Sequence, residues 1–115
     1  MPGAIRFRLR VAWRNEFALG PGKAELLSLV EETGSINLAA QRMGMSYMRA
    51  WSLIQTMNRC FKEPLLLAKR GGRGGGGAKL TPAGRRVLEL YLQMEKASLR
   101  ATQTGWRTLQ KLLRE

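Results

Sequence analysis

One stretch limits the folds open to this chain more than any other: Ser35 to Glu63, SINLAAQRMGMSYMRAWSLIQTMNRCFKE. It reads as a short helix, a tight turn and a longer helix. The first helix is predicted over Ile36 to Met43, with Ser35 as its N-cap, since a serine oxygen can accept from an otherwise orphaned backbone N–H. Ile36, Ala39, Ala40 and Met43 then share one face. Gly44 ends that helix, because glycine tolerates the left-handed backbone of a C-terminal stop. Met45 plugs the corner, and Ser46 caps the next helix. There Ala50, Ile54, Met57 and Phe61, spaced four, three and four, make one buried stripe. Two small residues, a glycine and an apolar residue at the turn give a helix-turn-helix. Ala39 and Ala40 let the second helix cross close to the first, and Gly44 permits a turn of three or four residues.

The second helix of such a motif enters the major groove by its N-terminal end. Tyr47, Met48, Arg49, Ser52, Gln55, Thr56 and Arg59 stay outside the buried stripe. No acid occurs between Glu32 and Glu63, whereas Arg42, Arg49, Arg59 and Lys62 all fall there. A helical hairpin on a plain solvated surface would mix both charge signs. The whole chain has the same bias: 20 Lys+Arg against 8 Asp+Glu, net +12, with a pI near 11.3. That is the electrostatic footprint of a phosphate-binding surface, although an anionic membrane surface would also attract it.

At 115 residues and 44% hydrophobic content the chain can build one domain with a real core. Cys60 is its single cysteine and histidine is absent. No intramolecular disulfide and no zinc site of the usual His/Cys type can form, and nucleophile–base pairs that use those residues are unavailable. Glu25, Glu31, Glu32, Glu63, Glu89 and Glu95 sit in predicted helices with no aspartate among them, which does not describe a metal-nuclease cluster. The expectation is a protein that is not an enzyme and carries no cofactor or metal. No apolar run approaches the ~18 residues of a membrane span. The arginine-rich start has an apolar period of two, not the helical period of a transit peptide. A cytoplasmic location is expected.

Along the chain, IRFRLRVAW (5–13) alternates: Ile5, Phe7, Leu9, Val11 and Trp13 point one way, Arg6, Arg8 and Arg10 the other. This predicts a half-buried strand, returned through Arg14-Asn15 into a short second strand over Glu16–Leu19. Its arginine face is open to two readings: contact with DNA phosphates, or a solvated face or edge strand protected by charge. Gly20-Pro21-Gly22 opens a supporting helix, with Leu26, Leu27 and Val30 as its stripe, Thr33 at its end and Gly34 as its stop. Pro64 is expected to close the second helix of the motif. Leu65 to Arg70 reads as a strand, followed by the basic, glycine-rich loop GGRGGGGAK and Leu80, which together make a wing. Arg70, Arg73 and Lys79 supply its charge for phosphates or a narrow minor groove. The loop is no P-loop: Ala78 separates Gly77 from Lys79, and Leu80 follows. Thr81-Pro82 starts a last helix that meets no further proline before Arg114. Leu88, Leu92, Leu99, Trp106, Leu109 and Leu113 form a seam on it, interrupted by Glu95 and Thr102. Such a helix would run about 50 Å, longer than the core of a chain this size. Its outer part needs a partner, and a second copy of itself is the simplest. A break at Gly105, with Trp106 folding back, is the alternative.

This order resembles the LysR-type class of bacterial winged-helix domains. More closely, TGSINLAAQRMGMSYMRAW, then QTMNRCF, then GGRGGGGAKLTPAGRRVLELY resemble the N-terminal DNA-binding domain of the molybdenum-dependent ModE-type regulators, over roughly residues 20–100. The resemblance implies a mainly α fold with a β-wing: a winged helix-turn-helix with an N-terminal β-hairpin (5–19), a winged-helix body (21–81) and a long C-terminal dimerisation helix (82–114), in one DNA-binding domain. It implies a homodimer, joined through the hairpin and the last helix, that binds double-stranded DNA at an operator, often upstream of molybdate-uptake genes. The family's DNA contacts match Ser46, Tyr47, Met48, Arg49, Ser52 and Gln55 on the helix and Arg70, Arg73 and Lys79 around the wing. Arg49 is the best candidate for direct readout, since guanidinium can pair bidentately with guanine. Trp51 is expected to pack between helix and backbone. Two-domain members carry a molybdate-binding module, and nothing up to Glu115 has room for it, so molybdate binding is not expected within this chain. A non-specific architectural DNA protein would share the charge and size; preference for an operator over bulk DNA separates the two.

Overall fold

The computed structural model describes residues 3–69 and 77–114. In chain order the elements are β1 (Val11–Trp13), β2 (Glu16–Leu19), α1 (Pro21–Thr33), α2 (Ile36–Arg42), α3 (Tyr47–Cys60), β3 (Leu66–Ala68), β4 (Ala78–Leu80) and α4 (Pro82–Gln110). β1 pairs antiparallel with β2, and β3 with β4, in two separate two-stranded sheets. Three helices, a β-hairpin wing and a long final helix make a winged helix-turn-helix.

The centre of the molecule is built by α1. Leu26, Leu27 and Val30 are fully buried, and Ala39, Ala40, Ala50, Ile54 and Met57 close over them from α2 and α3. The three alanines are small enough for α2 and α3 to approach with little between them. Gly34 stops α1 at φ 71°, where its N–H returns to the Val30 carbonyl at 2.7 Å; an L side chain would be strained there. The wing roots are tied to the same place: Ala78 N–H donates to the Gly34 carbonyl at 2.9 Å, and Leu66 and Leu80 face each other, both buried. No helix among the described residues is long and apolar enough to cross a membrane.

α3 stops earlier than Pro64. Its last residue is Cys60, and Phe61 leaves helical geometry at ψ 156°. The Asn58 side chain supplies the reason. Its Oδ1 accepts from Leu65 N–H at 2.8 Å, and its Nδ2 donates to the Leu66 carbonyl at 3.2 Å. One amide thus reaches seven and eight residues ahead and draws the chain back beneath the helix to start β3. Asn58→Ala would leave both backbone groups without that partner in a half-buried site. We expect a loss of about 1–3 kcal/mol, the usual cost of an orphaned polar group, measured by urea unfolding. A change below about 0.5 kcal/mol, the scale of a neutral surface substitution, would mean that water replaces the amide.

The first segment and the last helix depart from the sequence reading in a related way. Only Val11–Trp13 of the alternating run joins a ladder, with a register shift between Val11 and Ala12. β2 offers four residues of partner and no more. The preceding residues instead lie along α4: the Tyr91 hydroxyl donates to the Leu9 carbonyl at 2.7 Å, and a Cβ placed on Gly3 would lie 3.6 Å from the Trp106 ring. The alternation holds as burial as far as Val11, whereas Trp13, expected on the same face, is 39% exposed. Ile5, Phe7, Leu9 and Val11 are half-buried, whereas Arg6, Arg8 and Arg10 are exposed. α4 runs unbroken through Gly105 and ends at Gln110, four residues before Arg114. Within it only Gly84, Leu88 and Tyr91 are buried. The rest projects, which gives extents of 57 × 29 × 24 Å and a radius of gyration of 16.9 Å, against about 13 Å for a compact chain of this length.

Candidate nucleic-acid interface

The helix-turn-helix is held by local bonds in the sequence-expected places. Ser35 Oγ accepts from Leu38 N–H at 3.1 Å, and Ser46 Oγ from Arg49 N–H at 3.1 Å. Met43 is the C-cap of α2 and Gly44 follows at φ 69°. Met45 N–H then donates to the Ala40 carbonyl at 3.0 Å while its side chain packs on the core. These bonds set where α3 begins and so which of its side chains face outward.

The outward face is that expected from the stripe. Met48 is 71% exposed and Tyr47 46%. Ser46, Arg49 and Ser52 are exposed, and Gln55 is half-buried one turn further. Trp51 packs against the core. On the wing, Lys79 is exposed in β4, opposite Leu67 of β3. Arg70 and Arg73 lie outside the described residues. Among the nine sequence-expected contacts, therefore, Ser46, Tyr47, Met48, Arg49 and Ser52 share the exposed start of α3, Gln55 sits at its margin, and Lys79 stands on the separate wing hairpin.

The basic charge is less free than the acid-free stretch suggests. Arg42 pairs with Glu32 at 3.1 Å and Arg59 with Glu16 at 2.6 Å. Both acids come from elements before the motif. Glu16 also takes the weak Cys60 Sγ–H contact at 3.6 Å. The Arg59 hydrogen bond and charge hold the Glu16 carboxyl below the usual carboxylate range, while burial and then Glu16 itself push the Cys60 thiol up. A raised thiol is a poor nucleophile, in keeping with a packed cysteine. Arg49, by contrast, enters no ion pair among the described residues. Its side chain lines a cavity of about 320 Å³ between α3, the β1–β2 hairpin and the first turn of α1, together with Arg10 and Lys23. The alternating pattern leaves the face of Arg6, Arg8 and Arg10 open between DNA phosphates and plain solvent, and nothing local in the sequence singles out Lys23.

Residues 23–85 match the family described as bacterial regulatory helix-turn-helix protein, lysR family. The chain belongs to that family. The match runs from the first turn of α1 to the first turn of α4 and so takes in α1, the helix-turn-helix and the wing. The domain is also 42% identical over 94 residues, 80% of the chain, to the molybdenum transport protein ModE of Azotobacter vinelandii. It is 42% identical over 77 residues (67% of the chain) to the molybdenum-pterin-binding protein MopB of Rhodobacter capsulatus. Against the DNA-binding transcriptional dual regulator ModE of Escherichia coli it is 41% identical over 71 residues, 62% of the chain. The alignments take in 35%, 28% and 27% of those relatives, so the chain spans about a third of their length or less. It is a ModE-like regulatory domain, and DNA binding in transcriptional control is the coarse function that the family carries.

Proposed function

We propose that this chain is a sequence-specific, dimeric DNA-binding domain that controls molybdenum-related genes. The observation that carries the DNA reading is the start of α3: a capped first turn, free of acids, that exposes Tyr47, Met48, Arg49 and Ser52 side by side. A helix presented in this way reads base edges with its N-terminal side chains. Lys79, with Arg70 and Arg73, would reach phosphates or the minor groove from the wing. The molybdenum link is supported by the names of the similar regulators, and the dimer by α4. Leu92, Leu99 and Leu109 are each more than two-fifths exposed on a helix whose inner end alone is buried, and so is Leu113 just beyond its end. A second copy, packed along α4 and the segment that lies on it, would cover them.

The test is selection of genomic fragments by the purified chain, followed by competition of the recovered site against random duplex. We expect a palindromic site preferred by at least ~10³-fold, in the range of specific DNA readers. Uniform recovery that disappears with added salt would instead describe an architectural DNA protein and end the sequence-specific reading.

A further inference from the structure

We propose that Arg10, Lys23 and Arg49 form a clamp for one DNA backbone phosphate, seated in the cavity between the N-terminal hairpin and the recognition helix. The inference rests on the DNA-binding reading above and deepens it by assigning Arg49 to the backbone, not to a base.

Three elements distant in sequence deliver the three cations to one cavity: the segment before β1, the first turn of α1 and the first turn of α3. No acidic residue lines it. None of the three cations enters an ion pair among the described residues, although Arg42, Arg59, Arg85 and Arg86 all do. The acid that feels Lys23 is Glu16, which already accepts Arg59 at 2.6 Å. A bound phosphate would supply the negative charge that no residue lining the cavity provides. One of the guanidinium groups has a contact at the cavity before any ligand arrives: Arg10 lies over the Phe17 ring at 4.9 Å. The first turn of α1 opens on the same space, and no side chain caps it, because Gly20 stands at the N-cap. Guanidinium groups match the oxygens of a phosphate, and lysine adds a point charge.

The place of the cavity identifies the anion. It adjoins the first turn of α3, the part of a recognition helix that enters the major groove. The groove is walled by phosphates, so a cationic cavity beside that turn meets the backbone flanking the bases read by Met48 and Ser52.

The experiment is a salt titration of DNA affinity, on the selected site and on a random duplex of equal length. It uses the full chain and the variants Arg10→Gln, Lys23→Gln and Arg49→Gln, singly and together, with Arg100→Gln on α4 as a charge-matched control and thermal melts to check folding. Replacing all three cations together is expected to lower the slope of log affinity against log salt by about one, the share of one neutralised phosphate, and each single variant by a part of that. The loss of affinity should be equal on the two duplexes, and the control should keep the wild-type slope. An unchanged slope in Arg10→Gln and Lys23→Gln, with the wild type still binding DNA, would overturn the clamp and leave the DNA reading intact. A loss confined to the selected site in Arg49→Gln would return Arg49 to base readout and likewise overturn it. Calorimetric binding of inorganic phosphate to the DNA-free chain, alongside unchanged DNA slopes, would make this a free-anion site and overturn it too. Wild type that binds neither duplex would remove the clamp together with the reading it rests on.

Discussion

Gly84→Ala is expected to destabilise the protein by about 3 kcal/mol, at or beyond the upper end of overpacking costs. Gly84 is in the first turn of α4, where its N–H donates to the Thr81 hydroxyl at 2.9 Å. The helix there presses directly on the backbone of Leu65. A Cβ would fall on the Leu65 carbonyl oxygen and lie 2.9 Å from its carbonyl carbon and 3.2 Å from its Cα. Those atoms cannot swing aside as a flexible side chain would. The Leu65 carbonyl accepts from Thr81 N–H at 2.9 Å, and Leu65 N–H is held by Asn58. Relief requires α4 to lift from the root of the wing, which opens the core at Leu88 and Tyr91. Alanine is the better helix former by up to about 1 kcal/mol, so propensity offsets only part of the clash. Gly105 isolates the propensity effect. It sits in the same helix, and a methyl added there would meet nothing within 4 Å, so Gly105→Ala should stabilise by about 0.5–1 kcal/mol. Urea unfolding of both variants checks the pair; a gain in stability at Gly84 would show that the α4–Leu65 contact relaxes cheaply.

The second large effect concerns the proposed dimer. Leu99→Glu combined with Leu109→Glu should give a monomer by sedimentation and lower affinity for a palindromic site by about 10²–10⁴-fold, the scale of a lost second binding module. Both leucines are already 43% and 51% exposed in one copy. They lie beyond Tyr91, the last buried residue of α4, so the winged-helix core should stay folded with nearly the wild-type thermal midpoint. Of the two polar members of the seam, Thr102 turns its hydroxyl back to the Ser98 carbonyl at 2.9 Å. A wild-type chain that sediments as a monomer, or a double variant that remains a dimer, would remove α4 from the interface.

How much of this was legible in the sequence depended on the range of the interactions involved. The caps at Ser35, Ser46 and Thr81 each bond a backbone N–H three residues on. Gly34 and Gly44 both take the positive φ that stops a helix. The stripes Leu26–Leu27–Val30 and Ala50–Ile54–Met57 are buried as their period requires. These features are set by residues within one or two turns, so neighbours in the chain carry the information. The exposed start of α3 followed from the same periodicity.

The departures from that reading involve partners outside each residue's own helix or strand. The end of α3 was placed by Pro64, but Asn58 ends it by capturing the chain seven residues on. The alternating arginine run looked like a long strand because alternation records a half-buried face. It does not record whether that face rests on a sheet or, as here, on a helix more than eighty residues later. Arg42 and Arg59 counted as free charge until the fold brought Glu32 and Glu16 to them.

The sequence by itself determined the winged helix-turn-helix, its caps and turns, its basic charge and the outward face of α3, because each depends on local periodicity or simple composition. Only the tertiary structure decided which of the described cations meet an acid, that Arg10, Lys23 and Arg49 line one cavity, and that Gly84 lies against the Leu65 backbone. Those are matters of distance between segments that the chain alone does not order, and they are fixed once α1 brings the hairpin, α3 and α4 around one core.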